Sequence, residues 1–367
     1  MRHPVFEPQP DEVVLSEAPI MNTRSGFLLS SVACLISIAL PACNKGNPEP
    51  VVRQSTAMNT FLTATIYDPG ETPAVANAWI DSAFQEIDRV ERMATDYDST
   101  SQIGRINAGA GVESVAVSAE LVGLLRRALH FGEVSGHAFD VAVGPIVKTW
   151  NFLSPRPHTP TADTIKALLP LINSALISID GDKVFLAKKG MGIDLGGIAK
   201  GYAVDRSVEI LRRGGFERFI VDLGGNLGVY WNGTRMLDST VAEILIRHPR
   251  KDGEFYGKFM TGTSGVSTSG DYQRFFIEDG VRYHHIIDPS TGYPARGLVS
   301  VTVLAPDATS ADAISTLVFV LGRAQGMEFI RNAHDVEALI VYQSGDTLAY
   351  EATPRMQDRF NLIDSHD

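Results

Sequence analysis

The chain has 367 residues, of which 20% are charged, and its formal net charge is −11 at pH 7. A chain of this length can bury one large hydrophobic core or two modest ones. Its acidity argues against nucleic acid as a partner, because phosphate backbones are bound by basic faces. An anionic ligand would therefore have to be bound locally, by backbone amides, a lysine or a metal ion.

The N-terminal segment resembles a secretory signal. Residues 27–40 form an uncharged, mainly apolar run after Arg24, and its length suits a signal better than a membrane-spanning helix. Pro41, Ala42 and Cys43 follow, which resembles a bacterial lipobox. This pattern predicts cleavage before Cys43 and attachment of lipid to that cysteine. An ordinary signal peptide or a short anchor is the alternative.

A domain organisation follows from this signal. Residues 1–42 are predicted to be the signal peptide, with Met21 as an alternative start because the first twenty residues are rich in acidic side chains. Residues 43–56 are predicted to be the lipidated cysteine and a polar tether, residues 57–350 a folded domain and residues 351–367 a C-terminal tail. We expect a membrane-anchored lipoprotein on the periplasmic or extracytoplasmic face.

The hydrophobic pattern predicts a mixture of strands and helices in the folded domain. Strands are predicted at 61–67, 183–187, 218–223, 241–247, 273–277, 283–287, 299–305 and 337–342. Helices are predicted at 75–93, 119–134, 197–213, 310–321 and 325–333. Because strands and helices are partly segregated along the chain, the pattern favours an α+β fold over a doubly wound sheet.

Residues 192–205 (GIDLGGIAKGYAVD) carry the densest chemical signal. A strand end meets a glycine pair and then a helix, whose first backbone N–H groups attract phosphate oxygens. Lys200 lies in the first turn and would add a positive charge. The alternative is a strand–turn–helix junction with a surface lysine, and the spacing fits neither a P-loop nor a dinucleotide-binding fingerprint.

Residues 307–316 (DATSADAIST) contain Asp312 and Thr316 four residues apart, so that both oxygens lie on one helical face. One carboxylate and one hydroxyl suit Mg²⁺ when substrate phosphates and water complete the octahedron. If the helix begins at Thr309, Asp312 would instead occupy the third position of a capping box. The sequence leaves both interpretations open.

Three further segments combine polar residues with tight turns. In residues 283–294 (YHHIIDPSTGYP) the adjacent histidines should point to opposite faces of a strand, one toward a site and one toward solvent. Residues 135–145 (SGHAFDVAVGP) contain one carboxylate, that of Asp140, with a glycine on either side. In residues 95–101 (TDYDSTS), Tyr97 could stack on a flat ring; the alternative is a polar loop after a helix.

In this order and spacing, these motifs resemble the ApbE-like family of FAD:protein FMN transferases across nearly the whole mature chain. The segments DLGGN (222–226) and STSGDY (267–272) add to the resemblance. The resemblance implies an α+β fold related to the T-fold, FAD as donor and Mg²⁺ at the pyrophosphate. It also implies an acceptor Thr or Ser in a subunit of a membrane redox complex, modified through a phosphoester.

The resemblance also implies site residues by motif position. Those expected to contact FAD are Met58, Tyr97, Ala138, Phe139, Asp140, Asp194, Lys200 and His285. Mg²⁺ is expected to be bound by Asp312, Thr316 and the backbone carbonyl of Gly197. The family usually has Ala where this chain has Gly197, and Gly where it has Asn59; a carbonyl ligand tolerates the first change, whereas the second leaves the fit around Met58 uncertain.

The transfer would need a base to accept the proton of the acceptor hydroxyl, and His285 and Asp271 are both candidates. Two other functions remain open from the sequence. The same site could be an FAD pyrophosphatase that gives FMN and AMP, or the chain could be a non-catalytic flavin-binding lipoprotein. Retention of Asp312, Thr316 and Lys200 argues against simple storage.

Overall fold

The computed structural model describes residues 49–70, 72–232 and 241–363. The predicted signal and Cys43 lie outside these residues. The helices are α1 (Pro73–Ala94), α2 (Gln102–Ala108), α3 (Ala119–Val134), α4 (Gly144–Trp150), α5 (Ala162–Leu168), α6 (Ala199–Arg213), α7 (Ala308–Asn332) and α8 (Pro354–Gln357).

The strands vary from two to eight residues in length. They are β1 (Val51–Ala57), β2 (Thr60–Ile66), β3 (Val115–Ala116), β4 (Ile177–Asp180), β5 (Lys183–Leu186), β6 (Arg218–Leu223), β7 (Asn226–Trp231), β8 (Ala242–Arg247), β9 (Phe255–Thr261), β10 (Ser264–Gly270), β11 (Phe275–Glu278), β12 (Val281–His284), β13 (Ser300–Ala305), β14 (Glu337–Ser344), β15 (Thr347–Ala352) and β16 (Asn361–Leu362).

An antiparallel sheet of eight strands forms the centre of the fold, in the order β1-β2-β6-β7-β10-β13-β14-β15. Side chains alternate between its two faces, as expected for strands. In β6, Phe219 and Val221 belong to a core shared with the helices, whereas Ile220 belongs to a second core on the opposite face. Both faces of the sheet are therefore covered.

Helices α1, α6 and α7 cover one face, and their buried residues are spaced at three and four positions. In α1 these include Ala76, Ile80, Ala83 and Ile87, which is the apolar stripe of a helix packed on a core. The small sheet β16-β9-β8 contributes side chains such as Phe259 to the core on the opposite face. The sheet thus serves as a rigid platform for the loops and helix ends at its edge.

A third, smaller core lies under the two-stranded sheet of β11 and β12. Trp150 is buried at its centre, and its indole N–H donates to the carbonyl of Gly292 at 2.8 Å. Phe276 and Tyr283, which are paired across the two strands, pack against the Trp150 ring. This aromatic cluster fixes the hairpin that leads into the HHIIDPSTG segment.

The structure confirms the α+β fold and most of the predicted elements. The predicted pair of helices at 310–321 and 325–333 corresponds to α7, which Gly322 divides because its backbone (φ 74°) is not helical. Eight strands were not predicted, namely β1, β3, β4, β7, β9, β10, β15 and β16, nor were the short helices α2, α4, α5 and α8. Several of these carry glycine or polar residues, which weaken the hydrophobic pattern on which the prediction relies.

Two predicted domain boundaries need correction. Residues 51–56 were assigned to a tether, but they belong to β1, which pairs with β2 along its full length. Residues 351–367 were assigned to a tail, but β15 ends at Ala352, and Met356 and Phe360 are buried in the core beneath the central sheet. In the part of the chain that the structure describes, the fold therefore extends from residue 51 to about residue 362.

Among the described residues, α7 is the one helix long and apolar enough to cross a membrane by length and composition. Half of its most apolar window is buried inside the protein. Residues such as Leu317, Val318 and Phe319 are inaccessible and contribute to the main core. We assign α7 as the core helix of the domain.

Candidate functional site

The N-terminal turns of α6 and α7 meet at one edge of the helix layer. The backbone N–H of Gly201, in the first turn of α6, donates to the Asp312 carboxylate at 2.9 Å. Residue 201 must be glycine here, since a Cβ atom would lie 2.8 Å from the Cβ of Asp312. Close packing of the two helices therefore depends on this glycine and places Asp312 beside the predicted phosphate-binding turn.

The contact is reciprocal, because an aspartate of α6 caps α7. The Asp205 carboxylate accepts hydrogen bonds from the backbone N–H groups of Ala308 and Thr309 at 2.8 and 2.9 Å, and from the Thr309 hydroxyl. Burial raises the Asp205 pKa to about 6. Each helix thus satisfies free N–H groups in the first turn of the other, which fixes their relative position.

The capping interpretation of Asp312 within its own helix is wrong. Helix α7 begins at Ala308, and its N-cap is Asp307, whose side chain accepts from the N–H of Ser310 at 2.7 Å. Arg127 pairs with the same Asp307 carboxylate. Asp312 is therefore not needed to cap α7, and its oxygens face the first turn of α6.

Lys200 lies between the glycine pair and Asp312. Its amino group donates to the carbonyl of Gly196 at 3.1 Å and lies 3.8 Å from Asp312 Oδ1. Burial raises the Asp312 pKa, and the positive charge of Lys200 opposes this shift. A metal ion beside Asp312 would act like Lys200 and favour the charged form of the carboxylate. The pair is therefore suited to bind a metal ion at Asp312 and an anion at Lys200.

Gly197 and Thr316, the other predicted metal ligands, are also brought together. A Cβ atom on Gly197 would lie 3.4 Å from the Thr316 hydroxyl oxygen and 3.0 Å from the Phe139 ring. Within the described residues, no group of three or more His, Cys, Asp or Glu side chains could hold a metal ion. The oxygens of Asp312, Thr316 and Gly197 are instead the sparse set that suits Mg²⁺ when a phosphate ligand supplies the rest.

Asp194 lies two residues before the glycine pair, in a segment between β5 and α6 that is irregular and not the predicted strand end. Its Oδ1 accepts from the N–H of Gly196 at 2.6 Å. Asn107 anchors the preceding residue, because its side-chain amide bonds both the N–H and the carbonyl of Ile193 at 2.7 and 2.9 Å. Burial raises the Asp194 pKa, and Lys200 lies close enough to oppose that shift.

The predicted loop at Ala138, Phe139 and Asp140 lies beside this turn. Phe139 is buried, and its ring lies so close to Gly197 that a Cβ atom on that glycine would be 3.0 Å from it. The Asp140 carboxylate accepts from Ala142 N–H at 2.8 Å and from Ser174 N–H at 3.0 Å. The carboxylate thus holds the loop in place, and contacts of Ala138 and Asp140 with FAD remain predictions.

Tyr97 is the most exposed of the predicted flavin contacts, with 68% of its surface accessible. The loop that carries Tyr97 is anchored at the preceding residue, because the Lys148 amino group lies 3.2 Å from the Asp96 carboxylate. Asp194 and Arg274 lie within electrostatic range of the phenol. An accessible ring on an anchored loop is suited to stack on a planar ligand.

Met58 occupies the turn between β1 and β2, together with Asn59. Both residues have positive φ angles, 49° and 58°, and Asn is one of the few non-glycine residues that tolerates this conformation. Asn59 can therefore replace the family's glycine. The Glu91 carboxylate accepts from Met58 N–H at 3.0 Å, and Arg274 donates to the Asn59 carbonyl at 3.2 Å.

The two adjacent histidines have different roles. His284 is buried, and its Nε2 lies 2.8 Å from the Ala295 carbonyl while Nδ1 accepts from Ile286 N–H. The expectation that one histidine faces solvent is wrong, because His284 is part of the core and packs against Phe319. His285 is half-buried, and its Nδ1 is buried without a hydrogen-bond partner among the described residues.

The surroundings of His285 favour the neutral imidazole. Burial lowers its pKa to about 3, and the positive charges of Arg274 and Lys200 contribute. Its backbone N–H donates to the Arg274 carbonyl at 3.1 Å, which ties the histidine to the start of β11. An unpartnered nitrogen close to Lys200 is a candidate contact for a ligand bound at the glycine turn.

Asp271, the other candidate base, is engaged elsewhere. Its two carboxylate oxygens accept hydrogen bonds from two nitrogens of Arg250 at 2.6 and 2.7 Å. Both carboxylate oxygens are therefore occupied in a bidentate pair, whereas His285 Nδ1 has no partner among the described residues. The geometry therefore favours His285 over Asp271 as the proton acceptor.

Arg274, Asp205 and Gly201 support the site, but the sequence did not single them out. Arg274 lies two residues after the STSGDY segment, and this proximity was the one available signal. Gly201 and Asp205 lie within the glycine-rich motif, but their partners are more than 100 residues away in the sequence. Only the packing of α6 against α7 reveals their roles.

Comparison with known proteins gives a consistent family. A model of the ApbE family matches residues 58–340. A Treponema pallidum protein named FAD:protein FMN transferase is 35% identical over 327 residues, which cover 85% of this chain and 89% of that protein. A Klebsiella pneumoniae protein of the same name is 35% identical over 286 residues, or 77% of this chain and 87% of that protein.

Solved structures of the same family share the fold. The ApbE protein from Thermotoga maritima matches with a TM-score of 0.76 and 31% identity, covering 85% of this chain and 99% of that chain. The flavin transferase ApbE from Vibrio cholerae matches with a TM-score of 0.73 and 26% identity, at 85% and 99% coverage. These matches, together with the site geometry, show that the chain belongs to the ApbE family.

Proposed function

We propose that this chain is a Mg²⁺-dependent transferase that moves FMN from FAD to a Ser or Thr hydroxyl of a partner protein and releases AMP. The observation that carries the proposal is the meeting of Lys200, Asp312, Thr316 and Gly197 where the start of α6 packs against the N-terminal half of α7. The names of the Treponema and Klebsiella relatives, FAD:protein FMN transferase, support the same activity.

The reaction is a substitution at phosphorus. The acceptor oxygen forms a bond to the phosphorus of the FMN half while the bond from that phosphorus to the oxygen of AMP breaks. The proton of the acceptor hydroxyl passes to a base, and AMP leaves as the second product. Such a transfer requires neutralisation of the charge on the phosphate oxygens and alignment of the attacking hydroxyl.

The charge is neutralised by groups that the fold holds in place. Lys200, in the first turn of α6, would face the pyrophosphate and supply positive charge. Bound Mg²⁺, held by Asp312, Thr316 and the Gly197 carbonyl, would supply further positive charge at the phosphate oxygens. Because the reciprocal hydrogen bonds between α6 and α7 fix these groups in advance, little reorganisation is needed during the reaction.

His285 is the proposed proton acceptor. Its neutral imidazole can take up a proton, its Nδ1 has no hydrogen-bond partner among the described residues, and it lies within electrostatic range of Lys200. A bound phosphate anion would counter the charges of Lys200 and Arg274. It would therefore raise the pKa of His285 from its low value toward the range of an effective base.

The flavin half of FAD would occupy the surface between Met58, Tyr97 and Phe139. An FAD pyrophosphatase would use the same residues, with water in place of the acceptor hydroxyl. A non-catalytic flavin-binding protein would not need the metal ligands. The similarity to named transferases favours transfer over both alternatives.

We also propose a lipid anchor at Cys43 and an extracytoplasmic location. Because β1 begins at Val51, seven residues would separate the lipidated cysteine from the fold, and they could span at most about 25 Å. The domain would then work close to the membrane, where a membrane-bound redox subunit would present its acceptor. A Cys43→Ser variant should remain an uncleaved precursor; processing at the same site with retained membrane binding would contradict this proposal.

The experiment that tests the proposed activity uses the domain from about residue 48. It is incubated with FAD, Mg²⁺ and a synthetic peptide library with Ser or Thr fixed at the centre, and the peptides are analysed by mass spectrometry. We expect an adduct of the mass of FMN on the hydroxyl and an equal amount of AMP. FMN and AMP without an adduct would identify a pyrophosphatase, and unchanged FAD would contradict both activities.

A further inference from the structure

Strand β11 has one open edge. Among the described strands it pairs with β12 alone. Since Arg274 and His285 share a backbone hydrogen bond, the alternation of an antiparallel ladder directs the N–H and C=O groups of Phe275 and Ile277 away from β12. Within the part of the chain described, no backbone hydrogen bond from another segment reaches these two residues.

The open edge is also apolar and accessible. Phe275 and Ile277 expose 40% and 61% of their surfaces. The opposite face of the hairpin is fixed, because the Phe276 and Tyr283 rings stack 5.4 Å apart and pack on the Trp150 core. A rigid, accessible strand edge is a template for pairing with another extended chain.

The charge beside this edge indicates what kind of chain would pair with it. Arg282, opposite Ile277 on β12, stacks on the Phe275 ring at 3.7 Å. Its NH1 is buried and has no hydrogen-bond partner among the described residues. The Arg282 side chain as a whole is partly exposed, so a carboxylate from an incoming chain could pair with its guanidinium.

The edge continues into the candidate active site. Arg274, the residue before β11, donates to the Asn59 carbonyl in the turn that holds Met58. Its own carbonyl accepts from the N–H of His285. Arg274 thus connects the start of the open edge both to the turn that holds Met58 and to the proposed proton acceptor.

We propose that the open edge of β11 is the docking site for the acceptor protein, whose extended segment adds as a third strand and carries an acidic side chain toward Arg282. This inference rests on the proposed transferase function and names how its protein substrate is recognised. Backbone hydrogen bonds to Phe275 and Ile277 supply affinity, as in other cases of strand addition. The acceptor hydroxyl follows the paired residues and lies beyond Arg274.

The test uses the library peptide that the wild-type domain modifies fastest. The variant Ile277→Asp removes an apolar contact and places a carboxylate opposite Arg282, where it competes with the peptide. We expect KM for the peptide to rise about tenfold or more, while the Kd for FAD, measured by flavin fluorescence, stays within about twofold. Leu362→Asp, on strand β16 with 48% of the residue exposed, is the matched control and should leave KM unchanged.

Strand addition itself is tested by N-methylation of successive peptide amides. Because only every second residue of an added strand would bond to β11, transfer should fall at alternate positions. A KM unchanged by Ile277→Asp, or losses without alternation, would overturn the docking site while leaving the transferase intact. If the wild-type domain modifies no peptide in the library, the proposed function fails and the docking site fails with it.

Discussion

The amino group of Lys200 lies 3.8 Å from the carboxylate of Asp312, and the next residue of α6, Gly201, donates its backbone N–H to the same carboxylate. One buried carboxylate thus connects the first turn of α6 to α7. The arrangement places a lysine beside a carboxylate that we propose as a metal ligand. It accounts for how a chain with a net charge of −11 can bind a pyrophosphate.

Asp205→Asn should destabilise the fold and slow the reaction together. The amide retains one oxygen but replaces the other by an N–H₂ donor, which faces donors of α7 instead of accepting from them. We expect the free energy of unfolding at pH 8 to fall by about 1–3 kcal/mol. Urea denaturation and FMN transfer are measured on the same sample. Asp163→Asn, in α5, is the control for the loss of a carboxylate in the first turn of a helix. Unchanged stability of Asp205→Asn would contradict the reciprocal hydrogen bonds between α6 and α7.

Lys200→Met should discriminate between flavins with and without phosphate. If Lys200 faces the pyrophosphate, its removal should weaken FAD binding about tenfold or more, equivalent to about 1.4 kcal/mol per tenfold. Riboflavin binding should change by less than about twofold, because that ligand carries no phosphate. Fluorescence titration measures both affinities, and Lys200→Arg should be intermediate. Equal losses for the two ligands would show that Lys200 acts on the fold instead.

His284 should make the fold sensitive to acid. Burial lowers its pKa to about 4, below the value of about 6.5 expected in the unfolded chain. The unfolded chain therefore binds the proton more tightly, so the stabilisation is complete above about pH 6.5 and is lost as the pH falls toward 4. A shift of this size corresponds to about 3 kcal/mol.

The measurement compares wild type with His284→Gln, which keeps a donor for the Ala295 carbonyl but does not titrate. Between pH 7 and pH 4, the free energy of unfolding of the wild type should fall by about 3 kcal/mol more than that of the variant. His130→Gln is the control, because it removes a histidine that is exposed on α3. Parallel curves for wild type and His284→Gln would contradict the assignment.

The sequence was most informative where residues close in the chain act together. The glycine pair and Lys200 lie within one turn of each other, and Asp312 and Thr316 share one helical face, so local spacing predicted their grouping. The hydrogen bond from Gly201 to Asp312 joins positions 111 residues apart. It depends on how α6 packs on α7, which no local pattern contains.

The incorrect predictions also have physical causes that the local sequence does not show. β1 was assigned to a tether because an edge strand exposes polar residues such as Gln54 and Ser55 and shows little hydrophobic alternation. Asp271 was a candidate base because nothing near it in the sequence reveals its pairing with Arg250. The C-terminal segment was assigned to a tail because its anchors are few and widely spaced in the sequence, such as the buried Met356 and Phe360 and the pairing of β16 with β9.

The most direct test of the central claim is the rate of FMN transfer by Asp312→Asn over a full Mg²⁺ titration, with the melting temperature measured on the same samples. The amide oxygen can still accept from Gly201, so we expect the variant to remain folded. Loss of the one anionic metal ligand should reduce the transfer rate about 10²–10³-fold, or about 2.7–4 kcal/mol. Transfer at the wild-type rate at every Mg²⁺ concentration would show that Asp312 serves the fold alone and that the metal, if one is used, is bound elsewhere.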